Sequence, residues 1–326
     1  MKILYASSNN AASKIQLSRF LFEMKDSSHQ IKIAAYKDHY PSYVSIDWSL
    51  NALLNIYRPD VLSLDNDNLK TYFEQIKSYA PDLIISDLEY FTSYVANILN
   101  IQLWQCSSSL VNIAMTRSEK HNLGLFKYFA YALNRDPAHN QRTINLIDNS
   151  VYNLIYSHYG DTDNPPELQD GFEWIRPYHQ VSKFSAPCEH FIVAALAKDN
   201  KKIINILKQY NDSVVFMESW TEKYNNILVK NIENNNEYYC NLGNSTIFIC
   251  QGQASFLADA FYNKKHSIIY TDYNDTESII DSQLTKKCSL GHIMNYDMDI
   301  KLYENDFEPK YNPNIKYLHE KINELR

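Results

Sequence analysis

A glycine-containing turn in the C-terminal half of the chain has the residue types of an anion-binding site. It joins an apolar strand over 246–250 to a helix predicted over 255–261. Gly252 lets the backbone approach an anion closely, because it has no Cβ atom. The N–H groups of Gln253, Ala254 and Ser255 stand at the start of this helix, where they have no partner within the helix and the dipole favours negative charge. The Ser255 hydroxyl can also cap the helix or donate to a phosphate. The turn is therefore predicted to bind phosphate.

A carboxylate in the N-terminal half is placed to act as a general base. Asp87 ends the buried strand predicted over 82–87, and ligands of open α/β sheets bind outside the carboxyl ends of the strands. A carboxylate there can take the proton of a bound hydroxyl group. The alternative is that Asp87 caps the helix that starts near Phe91. Glu89 is the second candidate for the same role.

A polar turn follows the first predicted strand, 2–6. Ser8, Asn9 and Asn10 stand in this turn and face the same predicted cleft as Asp87. Amide side chains can position a hydroxyl group, but they cannot take its proton. We predict that these three residues contact the molecule that carries this hydroxyl group, and a purely structural role in the turn is an equal alternative.

Alternating apolar runs and helical patterns surround these residues and predict two α/β domains. The predicted divisions are an N-terminal domain at 1–160, a Pro-containing linker at 161–187, a C-terminal domain at 188–310 and a final helix, 311–326, that crosses back to the first domain. Residues 111–159 read as helical and carry the one locally basic region, 117–142. Strands are predicted at 101–105, 189–196, 213–218, 226–230 and 266–270, with a helix at 276–286.

Charge and cysteine usage limit the classes of partner and compartment. The 326 residues carry a formal net charge of −7, which disfavours general attraction to nucleic acid or anionic membranes. The 5 cysteines have no metal-binding or disulfide spacing. The apolar start of the chain reads as a strand, and no apolar run approaches the ~18 residues of a membrane span. We therefore expect a cytoplasmic protein, either a monomer or a weak homodimer.

The segment from Ser245 to Ala260, which contains Cys250-Gln251-Gly252, resembles the donor-binding segment of GT-B glycosyltransferases. The resemblance is to the group that contains the UDP-glycosyltransferases and the peptidoglycan GlcNAc transferase. In these proteins a buried strand, a turn of small residues and a helix N-terminus face the donor diphosphate. Their usual His-Gly-Gly is here Cys250-Gln251-Gly252. The resemblance implies an α/β GT-B fold, in which two Rossmann-like domains with parallel sheets face a central cleft.

The same resemblance implies further donor contacts. Asp275 and Glu277 match the residues that hold the hydroxyls of the donor sugar, and Glu277 is favoured because it opens a helix. Asn231 lies where the family grips the nucleobase through backbone contacts, and Lys198 lies at the donor phosphate loop.

These observations predict a glycosyltransferase that moves a sugar from a nucleotide sugar, expected to be a UDP-sugar, to an acceptor hydroxyl with inversion. The resemblance implies no tightly bound cofactor and no required divalent metal, because the helix dipole and side chains neutralise the leaving group. The acceptor stays open, and the basic region 117–142 keeps DNA with a modified base among the possibilities. Two alternatives remain, a nucleotide-sugar 2-epimerase of the same architecture and a non-catalytic protein that binds a nucleotide or glycan.

Overall fold

The computed structural model describes residues 1–8, 11–36, 45–50, 67–125, 137–179, 192–196, 200–210, 213–217, 227–231, 235–252, 254–272, 276–294 and 311–325. Within them the chain forms two separate sheets, in which every strand pair is parallel. Helices lie between many of the successive strands, which is the usual connection between parallel strands.

The first sheet is formed by the N-terminal half of the chain. Its strands are β1 (Lys2–Ser7), β2 (Gln30–Ala35), β3 (Trp48–Ser49), β4 (Leu83–Asp87), β5 (Gln102–Cys106), β6 (Tyr152–Tyr156) and β7 (Phe172–Ile175). They lie in the order β3-β2-β1-β4-β5-β6-β7. The order reverses between β1 and β4, which makes a topological switch point at the carboxyl ends of these two strands.

Both faces of the first sheet are buried. Ile3 and Tyr5 of β1 pack into one apolar cluster, whereas Leu4 and Ala6 pack into another. This alternation follows from the two-residue period of a strand, and it explains why the central strands are continuously apolar.

Helices and two short 3₁₀ turns accompany the first sheet. The helices are α1 (Ala11–Glu23), α2 (Asp67–Tyr79), α3 (Tyr90–Ile98), α4 (Val111–Ala114), α5 (Arg117–Asn122) and α6 (Pro137–Asp148), and the 3₁₀ turns are Ser108–Leu110 and His158–Asp161. Helix α1 leaves the carboxyl end of β1, so its start lies at the switch point.

The second sheet repeats the plan of the first. Its strands are β8 (Ile192–Leu196), β9 (Ser213–Met217), β10 (Leu228–Asn231), β11 (Ile247–Cys250), β12 (Ser267–Ile269) and β13 (Gly291–Ile293). They lie in the order β10-β9-β8-β11-β12-β13, which is the dinucleotide-fold order again. The helices are α7 (Lys201–Leu207), α8 (Asn235–Asn244), α9 (Ala254–Tyr262) and α10 (Thr276–Lys287). Here the switch point lies between β8 and β11.

The chain returns to the first domain at its end. Helix α11 (Leu318–Asn323) buries Leu318 and Ile322 in the cluster that contains Leu17 and Phe20 of α1. The backbone N–H of His319 donates to Glu23 Oε1 at 2.7 Å. The last helix is therefore part of the core of the first domain.

A single apolar cluster joins the two domains. From the first domain it contains Leu110, Val111, Ala114, Met115, Leu125, Ile147, Ile155 and Tyr159, and from the second Ala258, Phe261, Tyr262, Ile279, Ile280, Leu284 and Leu290. Tyr159 Oη also donates to the backbone oxygen of Asp281 at 3.1 Å. An interface of this apolar character fixes the two domains against each other more firmly than a polar one would.

Four strands differ from the sequence prediction, and the first of them, β3, has only two residues and leaves no periodic signal. β6 lies in the stretch predicted as helical, 111–159. The prediction was wrong there because the apolar residues near Leu154 and Ile155 continue the helical spacing of α6, and only pairing with β5 makes this segment a strand. β7 lies inside the predicted linker, so the first sheet extends beyond the predicted boundary at residue 160. β13 was not predicted, because three residues that start at a glycine leave almost no periodic signal.

Candidate active site

The turn after β11 has the geometry that its glycine predicts. Gly252 has φ +73°, a conformation that side chains with a Cβ atom rarely adopt. A Cβ atom at this position would lie 3.0 Å from Ile269 Cγ2 and 3.0 Å from the backbone oxygen of Ser278. The turn is therefore packed tightly against the start of α10.

Hydrogen bonds of the Ser278 side chain stabilise this turn. Its hydroxyl donates to the backbone oxygen of Gln251 at 2.5 Å and accepts from the backbone N–H of Asp272 at 3.0 Å. One buried side chain thus links the turn after β11, the loop after β12 and helix α10. The sequence prediction missed Ser278, because a serine in the first turn of a helix gives no distinctive signal.

Helix α9 begins directly after the turn. Ala254 is its first residue and Ser255 its second, and every residue from Ser255 to Tyr262 is buried. Gln253 lies outside the described residues. The N–H groups of the first turn have no acceptor within the helix, so this end of α9 is suited to an anion at the switch point of the second sheet.

A buried ion pair connects α9 to the first domain. Arg19 of α1 places Nη2 2.5 Å from Asp259 Oδ1 and 2.9 Å from the backbone oxygen of Ser255. Tyr239 Oη donates to the same Asp259 oxygen at 3.2 Å. Burial alone would lower the pKa of Arg19, but Asp259 outweighs it and the net pKa is raised, so the guanidinium stays charged. These contacts pack the second half of α1, in the first domain, against α9 of the second domain.

His158 is a second buried polar residue at this interface. Its ring lies 4.1 Å from that of Tyr159 and 5.6 Å from that of Phe261, measured between centroids. Burial, followed by the charge of Arg19, lowers the pKa of His158 to about 3. The imidazole is therefore neutral at physiological pH.

Asp87 lies at the switch point of the first sheet. It is the last residue of β4, opposite Ser7 of β1 in the parallel register, and only 1 % of its surface is exposed. Burial, followed by the charge of Asp87, raises the pKa of the neighbouring Cys106 thiol well above its ordinary value. Cys106 is thus a neutral neighbour of the carboxylate.

The backbone after Asp87 is unusual. Leu88 has φ +51°. The other non-glycine residues with positive φ in the described ranges are Ala80, Asn100, Lys264 and Ser289, and each closely follows the end of a helix, where a left-handed residue is common. Leu88 instead follows a strand, and its side chain packs against the interdomain cluster. Strain of this kind is often found at functional sites.

The cap of α3 is Glu89 rather than Asp87, which corrects the alternative role considered for Asp87. Glu89 accepts from the backbone N–H of Phe91 at 3.1 Å and from that of Thr92 at 2.7 Å. Burial raises the pKa of Glu89, while the contacts with Thr92 and Phe91 oppose the rise. Asp87 is not needed for the cap, because α3 starts at Tyr90 and its N-cap position is residue 89.

The other predicted site residues are described to different extents. Ser8 follows β1, and its hydroxyl is 2.7 Å from that of Ser13. Asn231 ends β10 and Glu277 is the second residue of α10, but their side chains are not described. The remaining predicted residues, Asn9, Asn10, Lys198 and Asp275, lie outside the described residues.

The basic region is only partly described. Arg117 is exposed, whereas Lys120 is half-buried and donates to the backbone oxygen of Ile113 at 3.2 Å. Burial lowers the pKa of Lys120. Glu119 forms an ion pair with Lys287 of the second domain. In the described part, α5 thus directs two of its charged side chains to protein contacts.

No three His, Cys, Asp or Glu side chains of the described ranges are grouped closely enough to hold a metal ion. The sequence Asp297-Met298-Asp299, an Asp-x-Asp arrangement, lies outside those ranges. Among the helices that the structure describes, none combines the length and the apolar character of a membrane span.

Solved structures with the same architecture cover nearly the whole chain. The chain is similar to the spinosyn forosaminyltransferase SpnP, with 13 % identity and a TM-score of 0.56 over 92 % of this chain and 87 % of that one. The chain has the two-domain GT-B fold. It is also similar to the spinosyn rhamnosyltransferase SpnG complexed with spinosyn aglycone, with 9 % identity and a TM-score of 0.56 over 93 % and 89 % of the two chains.

A third similar structure, the SsfS6 glycosyltransferase of Streptomyces sp. SF2575, contains thymidine diphosphate. It has 11 % identity and a TM-score of 0.54 over 90 % of this chain and 87 % of that one. No family model matches the sequence, and no curated protein sequence matches it significantly. The predicted fold class is therefore confirmed at the level of three-dimensional architecture.

Proposed function

We propose that this protein transfers a glycosyl group from a nucleoside-diphosphate sugar to an acceptor hydroxyl. The observation that carries the proposal is the repetition of the 3-2-1-4-5-6 strand order in both sheets, with a candidate group at each switch point. Gly252 and the start of α9 follow β11, and Asp87 ends β4. The same two-domain architecture recurs in structures named as glycosyltransferases, one of which contains thymidine diphosphate.

The donor diphosphate is assigned to the turn at Gly252 and the first turn of α9. The glycine leaves room for the phosphate oxygens, and the N–H groups of Ala254 and Ser255 supply donors. Gln253, Asn231, Lys198, Asp275 and Glu277 complete the proposed donor site, in the roles that the sequence resemblance implies. The helix end takes up the negative charge that develops on the leaving diphosphate, so the transfer is proposed to need no divalent metal.

Asp87 is the proposed base. The acceptor oxygen attacks the anomeric carbon of the sugar, the bond from that carbon to the diphosphate oxygen breaks, and Asp87 takes the proton of the hydroxyl. One displacement of this kind inverts the anomeric configuration. Ser8, Asn9 and Asn10 are proposed to orient the acceptor. Glu89, the second candidate for the base, caps helix α3.

The test measures slow donor hydrolysis, with water replacing the acceptor. The wild type is incubated with TDP-, UDP- and GDP-sugars, with and without EDTA, and release of the nucleoside diphosphate is followed. Hydroxylated small molecules and DNA with hydroxymethylated bases are then added as two acceptor classes. Asp87→Asn is expected to lower turnover by about 10²-fold or more while nucleotide binding persists, because the amide cannot accept the proton.

Asp148→Asn is the matched control, since Asp148 is exposed on α6. Interconversion at the second carbon of the sugar would instead identify an epimerase, and binding without turnover would identify a non-catalytic binding protein. If the wild type binds no nucleotide sugar, the proposed donor site is wrong.

A further inference from the structure

The buried Arg19–Asp259 pair spans the two domains next to the proposed donor site. The two side chains are 8 % and 3 % exposed. Taking both charges out of water costs free energy that their attraction seldom exceeds, so such a pair is weak evidence of added stability. Its contact with the first turn of α9, through the backbone oxygen of Ser255, points to another role.

The geometry of α9 brings Asp259 close to the anion-binding end. Asp259 follows Ser255 by four residues, which is about one helical turn. Side chains on a helix lean toward its N-terminus, so the carboxylate is directed toward the first turn. A negative charge there would compete with a bound diphosphate for the same helix dipole.

Arg19 neutralises this charge and also holds the backbone of the first turn. Its Nη2 donates to the backbone oxygen of Ser255, which belongs to the peptide unit whose N–H is that of Phe256. Phe256 is the third residue of α9, so this N–H is one of those without an acceptor inside the helix. Accepting a charge-assisted hydrogen bond polarises the peptide unit and strengthens its N–H as a donor.

The guanidinium has unused donor capacity as well. Arg19 Nε is buried and has no hydrogen-bond partner among the described residues. A fixed cation with a spare donor therefore lies beside the first turn of α9, and it comes from the other domain.

We propose that Arg19 is a positioning residue for the donor diphosphate: it orients the first turn of α9 and cancels the charge of Asp259, so that an anion can bind there. This inference rests on the proposed function. It makes donor affinity depend on a residue of the acceptor-side domain.

The test is calorimetric binding of thymidine diphosphate and uridine diphosphate, with thymidine and uridine as uncharged probes. Arg19→Met leaves Asp259 unbalanced and should weaken diphosphate binding about tenfold or more, in the range usual for coupling between sites, without changing nucleoside affinity. Asp259→Asn retains the cation and should bind the diphosphate at least as tightly as the wild type. The double variant Arg19→Met, Asp259→Asn carries neither charge and should recover most of the loss.

Lys287→Met is the matched control, because it removes another interdomain ion pair, that with Glu119, at the far end of α10. It should leave the affinities for both nucleosides and diphosphates unchanged. A merely structural role for Arg19 would weaken nucleoside and diphosphate binding together, and it would make Asp259→Asn lose affinity.

The outcomes separate this inference from the proposed function. Wild-type protein that binds no nucleoside diphosphate overturns both. If the wild type binds the diphosphates, three results overturn this inference alone. They are a diphosphate affinity of Arg19→Met equal to that of the wild type, an equal loss of affinity for nucleosides and diphosphates in that variant, and no recovery of diphosphate affinity in the double variant.

Discussion

Substitution of Gly252 by alanine tests the donor turn most directly. The alanine must keep φ near +73°, which costs about 1–2 kcal/mol for a residue with a Cβ atom. The new Cβ atom must also fit 3.0 Å from Ile269 Cγ2, 3.0 Å from the backbone oxygen of Ser278 and 3.1 Å from its Oγ. Overpacking of this kind typically adds about 1–3 kcal/mol. We therefore expect Gly252→Ala to lower the free energy of unfolding by roughly 2–5 kcal/mol.

Gly124 provides a control with nearly the same backbone conformation. It has φ +66°, and a Cβ atom there would have no neighbour within 4 Å. Gly124→Ala should therefore cost only the conformational part, about 1–2 kcal/mol. Urea denaturation gives the free energy of unfolding of both variants, and the difference between them isolates the contacts with Ile269 and Ser278.

Calorimetry at a temperature where both variants are folded then gives their nucleoside-diphosphate affinity. The contacts with Ser278 must yield in Gly252→Ala, which moves the turn that is proposed to hold the diphosphate. Affinity should fall in Gly252→Ala and remain at the wild-type level in Gly124→Ala. Equal stability and equal diphosphate affinity in the two variants would refute the assignment of this turn as the binding site of the donor diphosphate.

Two further predictions concern carboxylates away from the donor turn. Glu89→Ala removes the cap of α3 and should lower the free energy of unfolding, measured with urea, by about 1–2 kcal/mol. Glu89→Gln, in contrast, should retain donor hydrolysis. Loss of hydrolysis in Glu89→Gln would make Glu89 the base in place of Asp87. The pKa of His319 is raised by its hydrogen bond to Glu23, and burial raises that of Glu23. Protonated His319 therefore stabilises the fold below its ordinary pKa and loses this contribution as pH rises through its raised folded-state pKa, whereas the buried Glu23 carboxyl costs stability as it ionises. The free energy of unfolding should fall as pH rises above about 6.5, the ordinary histidine pKa, and His319→Gln should flatten this fall; an identical pH profile in the variant would contradict it.

The buried polar side chains of α1 explain why the site could be predicted only in part. Arg19 lies on α1 among the buried polar residues Gln16 and Glu23, one turn apart on either side. In the sequence this spacing reads as the solvated face of an amphipathic helix. In the structure Gln16 donates to the backbone oxygen of Cys106 at 2.5 Å, Arg19 to α9, and Glu23 accepts from His319 of α11. Because these partners are 90 to 296 positions away along the chain, local sequence carries no sign of them.

The central strands of both sheets are visible in the sequence, because a strand buried on both faces must be continuously apolar and such runs can be seen locally. The tight turn at Gly252 is also visible there, since a glycine between a strand and a helix has a specific conformational use. Tertiary packing selects the strands β3, β6, β7 and β13, because these short segments become strands only through pairing with a neighbour. It also decided the cap at Glu89 and the clamp between Arg19 and Asp259, because a buried polar group takes whichever partner the packing brings within hydrogen-bond distance.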